Sequence, residues 1–450
     1  MNIKPIYLTY TWTFFFFFHS SGYAQLPGVG NLNLPATPQF KPLAPISVLS
    51  NNGNQINEST MRIMNEVDHF KSREDRRLLV EECLRDFNEE NERSKVPVSG
   101  VYRIDLGYKT ALNELETMET LPDSMFSITD AVYKVENAFF DQKLPYDRFK
   151  ALIQFRAGLC KNLLRKEKLD STDNLSKNYV IQKLFTDTLI YNNSATRQRR
   201  KIPPLKYDFE DYKGEEHWEN MFVSKLLLTG RGQCHSMPLM YLMVAEALGA
   251  SAYLSLAPEH SYIQFPGPSG RNFNFETTSG ILVSNSWLMQ SGFINTAAIK
   301  QGTYMNTLDR KRLLAYMIMD LTLGYLHKYG FDSFVAESIK KVKRMDPDNL
   351  NMLLLESNLL TQQTMTMIKN AGSPPPDKLP QYPTLYTQYK KMLASYDKVD
   401  DLGFQAMPKE AYQAWLKSVN KEREKQLNGE LKRSLHLQLN NKSIKLTPKN

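Results

Sequence analysis

The feature that most restricts the fold is a long apolar run that starts soon after a glycine and stops at another. Gly232 precedes Cys234, and residues 237–248 are mostly apolar and end at Gly249. Because apolar side chains cover nearly every side of this run, we predict a buried helix. Pro238 cannot donate a backbone hydrogen bond, so the helix begins near residue 237 or is kinked in its first turn. Either way, Cys234 would lie at the helix N-terminus, where the dipole favours thiolate.

Two short segments with alternating apolar and polar residues follow the predicted helix. Residues 260–265 and 272–276 flank the sequence Pro-Gly-Pro-Ser-Gly at 266–270, which is a strong turn signal. We therefore predict an antiparallel hairpin. Folding about Pro268 predicts three opposed polar pairs: His260 with Glu276, Tyr262 with Asn274, and Gln264 with Asn272. Ile263, Phe265, Phe273 and Phe275 would share the other face, and a one-residue slip would destroy this arrangement.

A thiol, an imidazole and a carboxylate are thus predicted to come together. They are the parts of a cysteine nucleophile with an oriented base, in the order Cys234, His260 and Glu276. Each has a plainer interpretation: a small buried thiol, a packed histidine and a surface glutamate. His235 adjoins the thiol, but neighbouring helical residues point about 100° apart, which makes it the poorer base.

Four local motifs carry a resemblance to a known family: Gly232-Gln-Cys234, Ala245-Glu-Ala-Leu-Gly249, Pro258-Glu-His260 and Asn274-Phe-Glu-Thr-Thr278. Residues 218–287 resemble the transglutaminase-like superfamily of papain-like cysteine enzymes, especially bacterial members with a tetratricopeptide-type tail. The resemblance implies an α+β fold, in which a papain-like core with a buried helix on an antiparallel sheet is flanked by helical N- and C-terminal regions. It also implies Cys234 as nucleophile, His260 as base and Glu276 as orienting group, although the superfamily more often has Asp in the third position.

Three further residues are candidates for support of this site. Gln233 is a candidate for the oxyanion hole and equally a candidate turn residue. Asn274 and Tyr262 are predicted to share a face of the hairpin with His260 and Glu276.

The N-terminus predicts export. Lys4 precedes an apolar stretch over residues 5–18, and Ser-Ser-Gly-Tyr-Ala24 follows. This pattern indicates a signal peptide over residues 1–24, cleaved after Ala24, and hence a periplasmic or secreted protein. The alternatives are an uncleaved anchor and a buried helix. Gln25 is not a cysteine, so no lipoprotein anchor is indicated.

Hydrophobic periodicity divides the rest of the chain. We predict a disordered linker at 25–54, a helical region at 55–200, the core at 201–300, a helical region at 305–426 and a basic tail at 427–450. The individual helices are predicted at 130–139, 146–164, 310–329, 333–345, 350–369, 384–396 and 409–426. The pair at 333–369, with its Asp-Pro turn, resembles a tetratricopeptide hairpin; a plain helical bundle is the alternative.

The cysteine count argues against a disulfide-rich or zinc-binding protein. Three cysteines do not form a disulfide framework, although by parity a bridge between Cys83 and Cys160 would leave Cys234 free. Zinc-ligand spacing is absent, and we predict no metal or cofactor.

The net charge is +8, and residues 421–450 hold eight Lys or Arg against three Glu. A second basic cluster lies in a predicted loop with Arg197, Arg199, Arg200 and Lys201. The tail and this loop are either solvated or attracted to an anionic envelope surface. Nucleic-acid binding is not indicated.

Together these observations predict an exported cysteine protein that hydrolyses amide bonds of a protein or peptide substrate. If an amine replaced water as the acceptor of the acyl group, the protein would be a cross-linking enzyme. The sequence does not distinguish water from an amine as the acceptor. The rival hypotheses are a non-catalytic binding protein that holds a partner through its C-terminal helices, and an envelope assembly factor that uses the same fold as a scaffold.

Overall fold

The computed structural model describes residues 106–404 except 123–124, 193–198, 212–213, 215, 268–269 and 293. The predicted signal peptide, the linker, residues 55–105 with Cys83, the helix at 409–426 and the basic tail lie outside the described residues. Within them, the fold is α+β and mostly helical, as predicted. No helix in this part of the chain has both the length and the apolar character needed to cross a bilayer.

Four helices begin the described chain: α1 (Leu106–Thr117), α2 (Ile128–Phe139), α3 (Tyr146–Lys166) and α4 (Asn174–Thr186). Side chains at their N-termini set two of the boundaries. Ser127 accepts a hydrogen bond from the backbone N–H of Asp130, and Asp173 accepts one from that of Ser176. Such caps satisfy N–H groups that a helix leaves without partners. α3 also carries Cys160, a buried free thiol.

A β-hairpin follows α4, where the sequence had predicted only helix and loop. β1 (Leu189–Asn192) pairs antiparallel with β2 (Arg199–Ile202). The residues Arg199, Arg200 and Lys201 therefore lie on a strand and not in a loop, while Arg197 is outside the described residues. The long polar side chains of this strand are exposed, which removes the apolar alternation by which a strand is usually identified.

A short parallel pair leads into the central helix. β3 (Lys206–Tyr207) pairs with β4 (Arg231–Gly232), and α5 (Val223–Thr229) lies between them in sequence. The central helix α6 (Ser236–Leu248) ends at Gly249, whose positive φ of 61° suits glycine. Ten consecutive residues of α6, 236–245, are buried. The predicted buried helix is therefore present, and it starts one residue before the predicted position.

The main sheet contains four antiparallel strands in sequential order: β5 (Tyr253–Ala257), β6 (His260–Pro266), β7 (Asn272–Glu276) and β8 (Ile281–Val283). The predicted register between β6 and β7 is wrong by two residues. Gln264 pairs with Asn274 and Pro266 with Asn272. The N–H of Gly267 donates to the carbonyl of Arg271, so the turn is tighter and centred later than the symmetric turn about Pro268. A shift of two keeps every side chain on its predicted face.

Both faces of this sheet are covered. Ile263, Phe265 and Phe275 pack into a core that also contains residues of α1–α6 and of the later helices. Tyr262 lies in a second core on the opposite face, with residues from 288–304 and from the C-terminal helices. The edge of β5 is also covered, because the N–H of Leu308 donates to the carbonyl of Leu254. The polar face of the hairpin is therefore enclosed.

Six helices complete the described chain: α7 (Asn285–Ser291), α8 (Thr296–Lys300), α9 (Arg310–Tyr329), α10 (Ser333–Met345), α11 (Leu350–Asn370) and α12 (Pro383–Asp401). The last four agree closely with the predicted helices. α9 contacts α10 and α2, and α11 packs along α12. Asn349 caps α11 through the backbone N–H of Met352. Whether this region is of tetratricopeptide type stays a prediction.

Candidate functional site

Cys234 lies in the turn between β4 and α6, two residues before the helix begins. Gly232 allows this turn, because a Cβ there would meet Oγ of Ser236 at 2.7 Å and Cδ1 of Leu226 at 3.0 Å. The same Ser236 hydroxyl accepts a hydrogen bond from the backbone N–H of Gln233, at 3.0 Å. The sulfur is thus held close to the positive end of the α6 dipole, as predicted.

His260 is the first residue of β6 and follows a tight turn from β5. β5 and β6 are joined by Pro258 and Glu259, and Glu259 has a positive φ of 54°. The neighbouring Ser261 donates its hydroxyl to the backbone carbonyl of Cys234, at 2.6 Å. This hydrogen bond ties the start of β6 to the turn that carries the thiol.

His260 and Glu276 form a buried pair. Nε2 of His260 lies 2.6 Å from Oε2 of Glu276, and the two side chains are 0% and 3% exposed. Extension of the observed register places Tyr262, not His260, opposite Glu276. The contact is therefore diagonal, which a long side chain can span. Thr278 holds the other oxygen, Oε1, through its N–H at 3.1 Å and its hydroxyl at 2.7 Å.

The surroundings of His260 favour its protonated form. Burial alone would lower the pKa of the imidazole, but the Glu276 carboxylate and the Cys234 sulfur outweigh it and raise the pKa to about 10. Nδ1, the nitrogen that does not face Glu276, is buried and has no hydrogen-bond partner, sulfur included, among the described residues. The ring therefore contacts a carboxylate through Nε2, while Nδ1 keeps unused hydrogen-bonding capacity.

A cavity of about 120 Å³ adjoins the thiol. Cys234 and His260 both line it, although Cys234 is only 2% exposed. The exposed side chains of Glu259 and Asp348 also line the cavity, so it opens to the surface. Cys234 thus lies in the wall of a cavity that opens to the surface.

His235, the other histidine close to the thiol, is engaged elsewhere. Its Nδ1 lies 2.8 Å from the hydroxyl of Tyr316, and its Nε2 lies 3.3 Å from Oδ2 of Asp320. Burial lowers the pKa of this ring to about 4. Both nitrogens of His235 are therefore in contact with other groups, which agrees with its rejection as the base.

The three predicted support residues are all buried but differ in position. Gln233 is fully buried, and its amide oxygen and nitrogen have no partner among the described residues. Asn274 accepts from Gln264 and donates to Asn285 and to the carbonyl of Val283. The Tyr262 hydroxyl accepts from Gln264. Asn274 and Tyr262 belong to a polar network on the same sheet face as His260, and no contact of either with Cys234 is present.

Several residues of the site were missed by sequence reasoning. Ser261 directly follows the predicted His260, and Thr278 ends the motif that contains Glu276. Their hydroxyl groups, close to predicted site residues, could have marked both as candidate hydrogen-bond donors. Tyr316, Asp320 and Glu136 line the cavity from α9 and α2, far away in sequence. Only the packing of these helices brings them to the site. No group of His, Cys, Asp or Glu in the described ranges is arranged to hold a metal ion.

Comparison of the chain with known protein families finds no matching family, and comparisons with curated proteins and with solved structures find no match either. The resemblance to the transglutaminase-like superfamily thus rests on the motifs in residues 218–287.

Proposed function

We propose that the protein is a cysteine-dependent hydrolase of peptide amide bonds, built on a papain-like core of the transglutaminase-like type. The observation that supports it most strongly is the arrangement of His260, which makes a 2.6 Å contact with Glu276 and lines the same cavity as Cys234. The position of Cys234 ahead of a helix packed on an antiparallel sheet is what such a core would have.

In the proposed reaction, His260 holds the proton given up by Cys234, and the thiolate attacks the carbonyl carbon of the amide. A backbone N–H at the head of α6 would stabilise the oxyanion; that of Met237 already donates to the carbonyl of Gln233, and Pro238 has none. The C–N bond then breaks, the imidazolium gives its proton to the leaving amine, and a thioester remains. Water, deprotonated by His260, attacks the thioester and releases the carboxylic acid and the free thiol.

Glu276 has an orienting role in this scheme. Its Oε2 fixes the imidazole through Nε2 and stabilises the cationic ring, while Thr278 fixes the carboxylate through Oε1. Nδ1 is thereby left for exchange of the proton with sulfur and with the leaving group.

The test is alkylation of the full chain with iodoacetamide and with a broad electrophilic peptide probe, followed by peptide mapping. We expect Cys234 to react much faster than Cys160, whose pKa burial raises to about 12. Labelling should disappear in Cys234→Ala and persist in the matched control Cys160→Ala. Equal rates at the two thiols, or a Cys234 that does not react, would contradict the proposal and favour a non-catalytic scaffold.

A further inference from the structure

The side chain of His235 joins the turn that carries Cys234 (residues 232–235, the nucleophile turn) to helix α9, and the proposed reaction does not use this contact. Nδ1 of the ring lies 2.8 Å from the Tyr316 hydroxyl, and Nε2 lies 3.3 Å from Oδ2 of Asp320. The His235 and Tyr316 rings also stack, with an angle of 26° between their planes. His235 therefore contacts α9 through both ring nitrogens and through the plane of the ring.

Tyr316 and Asp320 belong to one face of α9. They are four residues apart in the helix, so their side chains lie on the same side, about one turn apart. Both residues are buried, and both line the cavity that Cys234 and His260 also line. The contact with His235 is therefore part of the wall of the candidate site.

The start of α6 has little support from its own side chains. His235 is the N-cap residue of this helix, but its side chain makes no capping hydrogen bond. Serine, threonine, aspartate and asparagine are the usual residues at this position, because their short side chains reach the free N–H groups. Pro238, in the first turn, has no N–H to donate. Contacts from outside the helix are therefore needed to fix the position of its first residues.

Such contacts reach successive residues of the nucleophile turn from different sides. The N–H of Asp208, which follows β3, donates to the carbonyl of Gly232 at 2.9 Å. The Ser261 hydroxyl of β6 donates to the carbonyl of Cys234 at 2.6 Å. Both of these contacts hold the backbone, whereas the contact of His235 acts through its side chain and comes from α9. Cys234 is thus held between an anchor on β6 and a second anchor on α9.

We propose that His235 is a positioning residue, and that its contacts with Tyr316 and Asp320 hold the Cys234 sulfur where Nδ1 of His260 can exchange a proton with it. The inference rests on the proposed function and specifies how the nucleophile of that site is held. A displacement of about 1 Å can cost a reacting group about a hundredfold in rate. Loss of the contacts with α9 should therefore slow the chemistry of Cys234 even in a protein that stays folded.

The test is Tyr316→Phe in the full chain, which removes the hydroxyl and keeps the ring that stacks on His235. The second-order rate of alkylation of Cys234 by iodoacetamide is measured by peptide mapping at intervals from pH 6 to 10, together with Tm. We expect the rate at pH 6 to be at least fivefold below that of the wild-type protein. The difference should shrink towards pH 10, because His260 then loses its proton and an ordinary thiol is ionised at that pH without a partner.

Tyr325→Phe is the matched control. Tyr325 is another buried tyrosine of α9, and its hydroxyl donates to Asp332. This variant should label at the wild-type rate. Asp320→Ala removes the contact at Nε2 of His235 and should slow labelling in the same way as Tyr316→Phe, so the test stays decisive if one of the two variants does not fold.

Three results would overturn the positioning role and leave the proposed hydrolase intact. The first is labelling of Tyr316→Phe and Asp320→Ala at the wild-type rate. The second is equal slowing in Tyr325→Phe, which would indicate a general loosening of α9. The third is a deficit that stays constant over the whole pH range, as a purely structural defect would give. Failure of Cys234 to react in the wild-type protein would overturn both proposals.

Discussion

Glu276 reaches His260 diagonally across the sheet, with Oε2 2.6 Å from Nε2, while the position directly opposite Glu276 is that of Tyr262. A contact that spans two residues of register depends on the length of the acidic side chain. In the proposed triad, this length would let glutamate take the place that aspartate more often has in the transglutaminase-like superfamily.

Shortening this side chain should weaken the pair. In Glu276→Asp we expect the pKa of His260 to fall from about 10 by at least one unit, because the carboxylate no longer reaches Nε2. Each unit corresponds to about 1.4 kcal/mol less stabilisation of the imidazolium. Glu276→Gln should lower the pKa further, since the amide carries no charge. The measurement is an NMR titration of the His260 ring. Glu259→Gln removes an exposed charge next to His260 and is the control; an unchanged pKa in Glu276→Asp would refute the argument from length.

The same pair should make stability depend on pH in the alkaline range. The folded-state pKa of His260 is about 10, above its usual value of 6.5, so the proton favours the folded state. The stabilisation is complete below pH 6.5 and is lost as pH rises towards 10. Breaking a buried ion pair costs about 3–5 kcal/mol, which bounds the effect.

The pH effect is best measured as the difference in Tm between the wild-type protein and Glu276→Gln, at intervals from pH 6 to 10. The difference should be largest at pH 6 and shrink with rising pH. Cys160 and other groups titrate equally in both proteins, so their contributions cancel. A Tm difference that is constant over this range would show that His260 does not carry a proton in the folded state.

Removal of the Ser261 hydroxyl should loosen the link between β6 and the nucleophile turn. Ser261→Ala leaves the buried carbonyl of Cys234 without its 2.6 Å donor, and we expect a loss of about 1–3 kcal/mol in unfolding free energy. Alkylation of Cys234 should also slow. Ser357→Ala is a suitable control, because this buried serine donates to the Leu353 carbonyl within α11. If both variants lose equal stability and label at the wild-type rate, the proposed link has no role.

A methyl group at Gly232 should disturb the nucleophile turn directly. Its Cβ would lie 2.7 Å from Oγ of Ser236, so that hydroxyl must move away from the N–H of Gln233. We expect Gly232→Ala to cost about 1–3 kcal/mol, as overpacking usually does. Gly158→Ala within α3 is the matched control, since a Cβ there meets nothing within 4 Å. That variant should be stabilised by up to about 1 kcal/mol. Denaturant unfolding measures the change in unfolding free energy of each variant. A change of the same sign in the two variants would contradict this explanation.

The sequence contained enough information for the helices α2, α3, α6 and α9–α12 and for the contact between His260 and Glu276. Ser333–Met345 has a clear apolar stripe, and 272–276 alternates cleanly, so both were predicted with their observed ends. The register of β6 against β7 was not predictable from symmetry, because the bond from Gly267 to Arg271 recentres the turn. An error of two residues leaves the polar side chains on the same face of the sheet. The predicted contact between the side chains of His260 and Glu276 is therefore present despite the wrong register.

Other parts of the site had no local signal. Asp320 stands in a helix whose residues 313–326 are all buried, where no amphipathic pattern distinguishes a cavity-lining acid. Its position beside His235 results from the packing of α9 against α2 and the core, which sequence periodicity does not specify. The hairpin β1–β2 was missed because charged side chains occupy β2.

The second core has a consequence for how the chain can be divided. Tyr262 of β6 packs with residues of α11 and α12, and the Thr303 hydroxyl donates to the carbonyl of Leu402 at 2.9 Å. A chain shortened before α11 would let water reach the sheet face that bears the His260–Glu276 pair. α11 and α12 therefore shield the His260–Glu276 pair from water and are part of the same packed unit as the sheet.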